Sequence, residues 1–173
     1  MPSAVLPGNR AMWTPARALL LGGLTVGVLD ALDALIFFGL RGVPPVRLFQ
    51  GIASGLLGRS AFTGGMATAM LGVLLHFFIA FVVVATYHAT ARRLPGLTLR
   101  PWTYGPLYGL AVWSVMNFIV IPLSAIGARG PRSTSGVING LLIHALGVGL
   151  PAALFARAAR LGASGRRTSG TGG

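Results

Sequence analysis

The chain contains no cysteine, no lysine and no glutamate. The missing cysteine excludes disulfides, thiolate metal sites and iron–sulfur clusters. Acidic residues number two, Asp30 and Asp33, and both lie inside an apolar segment. A soluble domain scatters carboxylates over a wet surface; this chain uses none in that way. Charge as a whole is scarce, at 9% against 54% hydrophobic residues and a mean hydropathy of +0.76, where soluble domains carry about a quarter charged residues. All 14 basic residues are arginine, giving a formal net charge of +12. Arginine without lysine, amid much alanine, glycine and valine, matches the coding bias of a GC-rich bacterial genome.

What the sequence does hold is four long apolar runs, at residues 18–40, 65–89, 103–126 and 136–158. A hydrocarbon core needs about 20 helical residues to cross, and backbone groups in lipid must be satisfied within the segment. None of the runs alternates with period two, as a barrel strand would. The expected fold class is therefore all-α, an integral membrane domain of four transmembrane helices over 18–161. A cytoplasmic segment, 1–17, precedes it, and a tail, 162–173, has a disordered composition.

Arginine placement predicts orientation. Arg10, Arg17, Arg92, Arg93, Arg100, Arg157, Arg160, Arg166 and Arg167 fall on the side of the termini. Arg41, Arg47, Arg59, Arg129 and Arg132 fall on the other. Both termini are expected in the cytoplasm of a bacterial cell, in its inner membrane, with anionic lipid as the partner of the arginine-rich face. Because the arginines sit at helix ends, nucleic acid is not an expected partner. The first loop, 42–64, is too apolar for a solvated linker. Val46, Phe49, Ile52, Ala53, Leu56 and Leu57 recur at helical spacing behind Pro44 and Pro45, which suit a helix start. An interfacial or re-entrant helix is expected there, with Gln50 and Ser54 on its polar face.

Small residues recur along each span and allow close backbone approach. Gly23 and Gly27 on the first, Gly72 on the second, Gly109 on the third, and Gly140 and Gly147 on the fourth are the expected packing positions. Each stripe also carries a polar residue. At 1.5 Å per residue, Asp30 lies roughly 18 Å and Asp33 about 22 Å from the cytoplasmic end, with His76, Asn117 and His144 at roughly 20–21 Å on their own helices. These five residues are expected to meet in one layer near the midplane. An Asp in mid-membrane costs roughly 2.5–3.5 kcal/mol on insertion scales and marks a candidate functional site.

Three readings of that layer are open. It can be a proton or ion path, since Asp and His titrate and such chains form relays. It can be packing glue in a structural or assembly subunit of a membrane complex. It can hold haem or a divalent metal, with His76, His144 and Asp30 as the ligands, although no paired-histidine spacing supports this and no cofactor is expected. No nucleotide loop, zinc-protease motif or serine elbow occurs, so nothing marks an enzyme. A four-helix bundle encloses little volume, which makes a homo-oligomer an expected partner state.

The run DALDALIFFGLRGVPPVRLFQGIASGLLG, the histidine-bearing second helix, YGPLYGLAVWSVMNFIVIPLSA and GLLIHALGVGLP together resemble a group of small bacterial inner-membrane proteins. More distantly, residues 18–158 are similar to the YagU-like family, with its histidine helix, proline-containing loop and final Gly/His helix. The first helix with its Asp pair and the outer loop depart from that pattern. The resemblance implies a membrane protein without an assigned reaction.

Overall fold

A computed structural model describes residues 13–127 and 133–169. The expectations for Arg10, Arg129 and Arg132, for most of the N-terminal segment and for residues 170–173 lie outside the described residues.

Helix α1, Pro15–Gly39, opens where the Thr14 hydroxyl accepts the Arg17 amide at 3.1 Å and proline takes the first helical position, a favoured start because both features deal with amides that lack a helical partner. Gly42, at φ +80°, turns the chain into α2, Pro45–Leu57. A tight helical turn, Gly58–Phe62, leads to α3, Gly65–Arg93. The short α4, Gly96–Leu99, precedes α5, Pro101–Val115. A π-helical stretch, Met116–Val120, joins α5 to α6, Ile121–Leu123. Helix α7, Thr134–Ile143, is capped by the Ser133 hydroxyl and passes through a second π-helical stretch, His144–Gly149, into α8, Leu150–Ser169.

Four helical runs are long and apolar enough to cross a bilayer: Pro15–Gly39, Gly65–Arg93, Pro101–Leu123 and Thr134–Ser164. They replace the sequence boundaries by a few residues at each end. Both π stretches stop just before a proline pair position, Ile121–Pro122 and Leu150–Pro151. A proline has no amide to donate and its ring crowds the carbonyl four residues back. Widening the preceding turn accommodates that ring without breaking the helix.

Helix α8 corrects the expectation of a tail that loses order at Gly162, since it continues through that residue to Ser169. Ala156, Ala158, Ala159 and Ala163 are the strongest helix formers, and a glycine costs only about 1 kcal/mol against alanine. A helix already started in the bundle carries through.

The packing is inverted relative to a water-soluble bundle. The buried apolar residues are largely alanine, among them Ala18, Ala53, Ala80, Ala152 and Ala153, whereas Leu40, Phe78, Phe118 and Leu123 are exposed. Small residues inside and large ones outside is the arrangement that lipid requires, because lipid supplies the apolar contact and close backbones supply the dispersion energy. A Cβ on Gly72 would strike the Phe49 carbonyl of α2, and one on Gly109 would strike the His144 carbonyl. Gly23 and Gly27 seat the Phe81 and Phe77 rings of α3, and Gly140 seats the Trp113 indole. Gly147 meets Ile143 of its own helical run and, at ordinary contact distance, Leu29. Gly105 and Gly149 form a further close backbone crossing between α5 and the second π stretch.

The α2 helix forms where it was expected, but Gln50 and Ser54, expected on its polar face, are turned into the protein. Gln50 and Ser54 are buried, at 4% and 1% exposure, while Leu56 is 61% exposed. The reason is local satisfaction: the Gln50 amide donates to the Gly65 carbonyl at 2.9 Å, and the Ser54 hydroxyl donates to the Gly51 carbonyl at 2.7 Å. The Ala125 amide also reaches across to the Gly55 carbonyl at 2.9 Å. Gln50, Ala53 and Ser54 turn inward, while Val46, Leu56 and Leu57 turn out and Phe49 and Ile52 are half-buried.

At the end that carries the termini, Val26, Val84, Tyr87, Val148, Ala152 and Ala156 form a closed core. The Tyr87 hydroxyl donates to the Leu97 carbonyl at 3.1 Å. Arg160 straps the loop of α4 onto α8, donating to the Pro95 carbonyl and the Thr98 hydroxyl, each at 2.6 Å. Arg160→Ala is expected to cost about 1 kcal/mol, the low end for charge-assisted hydrogen bonds because the side chain is exposed. A thermal melt in detergent checks it.

Candidate functional site

Toward the α2 end the four runs separate around a cavity of about 560 Å³, lined from α1, α3, α5, α7 and the two π stretches. It contrasts with the expectation of a bundle enclosing little volume. Its inner end reaches Val26, Ala80 and Val148, which belong to the closed core. The cavity therefore stops part-way along the bundle, against packed alanine and valine.

Asp30, Asp33, His76, Asn117 and His144 all line this cavity. They share a space rather than a set of mutual bonds, which corrects the expectation of a single buried cluster. The physical reason is that His76, Asp33 and Asn117 each find a nearer partner, the Gly27 carbonyl, the Asn139 amide and the Trp113 carbonyl. His76, 9% exposed, is fixed by Nε2 at 2.8 Å from the Gly27 carbonyl. A carbonyl only accepts, so Nε2 carries the hydrogen and Nδ1 is left facing Asp30, 3.9 Å from Oδ2. That spacing exceeds a hydrogen bond and is that of a loose ion pair.

Asp33, one turn further along the same face of α1, accepts the Asn139 amide at 2.7 Å. Asn117 turns back on its own helix, donating to the Trp113 carbonyl at 2.7 Å. His144 opens the second π stretch, and its Nδ1 is buried without a hydrogen-bond partner. Among the described residues no group of three or more His, Cys, Asp or Glu side chains is placed to hold a metal ion. His76 and Asp30 are adjacent, but His144 does not join them as the third ligand of such a group. Haem ligation by His76 would require giving up the Gly27 carbonyl.

Two residues of the site escaped the sequence reading. Asn139 adjoins the small-residue stripe of the last span but was not on it, and its signal was being an amide within an apolar run. Arg41 was read as a charge on the side away from the termini; its guanidinium folds back at the rim of the cavity, donating to the Phe37 carbonyl at 2.7 Å and to the Ser135 hydroxyl at 3.3 Å, and lying 3.6 Å from the centre of the Phe37 ring. The carbonyl near the end of a helix and the ring face both attract a cation.

Compared with protein-family models, with curated proteins and with solved structures, the chain finds no match.

Proposed function

We propose that this is a small multi-pass membrane protein that takes protons or small cations from one face of the bilayer into its cavity, as part of proton- or ion-related transport. The observation that carries this reading is the Asp30–His76 couple, 3.9 Å apart on the wall of a cavity with about 560 Å³ of space. Titratable groups inside a membrane span are costly, and they face cavities where they serve ion pathways or relays. The cavity ends on a closed core, so conduction needs a second arrangement of the helices. The two π-helical stretches, each beside a cavity polar residue, are local departures from regular helix of the kind found at functional sites.

With the arginine-rich end in the cytoplasm of a bacterial inner membrane, the cavity opens to the outside. Anionic lipid would then lie against Arg92, Arg93, Arg100, Arg157 and Arg160, and association with further copies or with a membrane complex is compatible with the apolar outer surface. The resemblance to YagU-like proteins agrees with a membrane location and adds no reaction.

A second reading has its own support. The Asn139–Asp33 bond ties α7 to α1, and Asn117 is spent within its helix, so the polar residues also serve packing in a structural subunit. Proton flux into liposomes separates the two. Asp30→Asn and His76→Ala are expected to lower flux at least about tenfold while the melting temperature in detergent stays within a few degrees of wild type. Absence of flux in the folded wild-type protein, or loss of flux only in step with loss of stability, favours the packing role.

A further inference from the structure

We infer that the cavity is a binding site for a protonated amine carrying an apolar body, with Asp33 as its counter-ion. This deepens the transport reading by naming a substrate class, and it rests on that reading's view of the cavity as the working part of the protein.

The chemistry of the wall points to this ligand. Most of the lining is apolar, with the rings of Phe37, Phe38 and Trp113 among it. A volume of about 560 Å³ falls within the range of roughly 300–1,000 Å³ typical of small-molecule sites, which combine apolar walls with a few placed polar groups. Such a wall adds affinity for an organic cation that it does not add for a bare proton or metal ion. The two carboxylates differ in their company. Asp30 has the His76 imidazole 3.9 Å away and no hydrogen bond among the described residues, whereas Asp33 accepts a neutral amide from Asn139 directly and feels the His144 imidazole and the Asp30 carboxyl only through space. A neutral donor stabilises a carboxylate without cancelling its charge, so Asp33 retains its attraction for a cation in a medium of low dielectric.

The rim cation does not supply that charge. Arg41 folds its guanidinium back onto Phe37, four residues or about 6 Å along the helix axis from Asp33, but it is held there by the Phe37 carbonyl and ring and by Ser135, and among the described residues it forms no ion pair with Asp33.

The test uses the full chain in nanodiscs and isothermal calorimetry against empty nanodiscs. The probes are 4-phenylbutylamine, 4-phenylbutanol and 4-phenylbutyrate, which share one body and differ in charge. Saturable binding of the amine at least ten times tighter than of the alcohol, with no binding of the acid, is expected. Asp33→Asn should reduce amine affinity about tenfold or more, and Ala34→Phe, which fills the cavity, should remove it. If the amine fails to bind, or if all three probes bind alike, the inference is overturned by the wild-type protein alone, whatever the variants do. Proton flux without amine selectivity would defeat only this assignment. Selective amine binding without flux would instead sustain it and defeat the transport reading.

Discussion

Gly109→Ala is expected to destabilise the protein by about 2–4 kcal/mol, at or beyond the upper end for overpacking a well-filled interior. A methyl group at this position would run into the carbonyl of His144 and the Cα of Ala145. Both are backbone atoms, and backbone cannot rotate aside as the end of a flexible side chain can. The α5 helix must then move away from the second π stretch, and the contacts on either side of the crossing open with it, including those of Gly105 with Gly149 and Leu150. In lipid the loss is not offset by the hydrophobic effect, since lipid tails are as apolar as the partner helix and close packing supplies the association energy. A melt in detergent followed by tryptophan fluorescence should show a fall of about 10 °C for a domain of this size. Gly51→Ala is the control. It lies within α2, and a Cβ there meets nothing within 4 Å, so alanine should be neutral or gain up to about 1 kcal/mol through helix propensity. Equal melting of the two variants would mean that the crossing is looser than described.

The glycine stripes were legible in the sequence because a small residue every four positions puts gaps on one face of a helix. Their partners were not. Gly72 meets the backbone of α2 rather than another span, and nothing in the spacing shows which neighbour a gap receives. The four long apolar helices were legible from length and polarity alone, since about 20 consecutive apolar residues leave few alternatives to a helix of spanning length. Asp30 and Asp33 stood out for the same reason.

Depth along a helix was easier to count than direction around it. His76 and Asn117 were placed at one level, and both do line the cavity, but Asn117 bonds its own helix while Asn139, outside the stripe, reaches Asp33. The last span passes through a π stretch at His144–Gly149, where each turn holds more residues than the 3.6 of an α-helix. A face traced through Gly140, His144 and Gly147 at constant pitch therefore turns away from its true course. The Pro151 that provokes this is visible in the sequence; the resulting rotation is not.

In α2, hydrophobic spacing gave the helix, but not the burial of Gln50 and Ser54, whose hydrogen bonds to the Gly65 and Gly51 carbonyls the spacing does not show. The exposure of Val46, Leu56 and Leu57 has a direct consequence for where the helix lies. If its outward apolar face sits in hydrocarbon, as in a re-entrant segment, then a thiol placed at Leu56 is beyond the reach of a water-borne reagent. The chain has no cysteine, so an introduced one is the only thiol present. Leu56 is 61% exposed, which means that the protein does not shield it and only lipid can. In intact proteoliposomes Leu56→Cys should react with a membrane-impermeant maleimide at least about tenfold more slowly than Ser60→Cys, which lies in the exposed turn after α2. Hydrocarbon excludes the reagent and also suppresses the thiolate, which is the reactive form. After solubilisation in sodium dodecyl sulfate the two should label alike, showing that the difference came from the bilayer. Equal rates in the intact membrane would place α2 in water, and its exposed leucines would then need a protein partner rather than lipid to cover them.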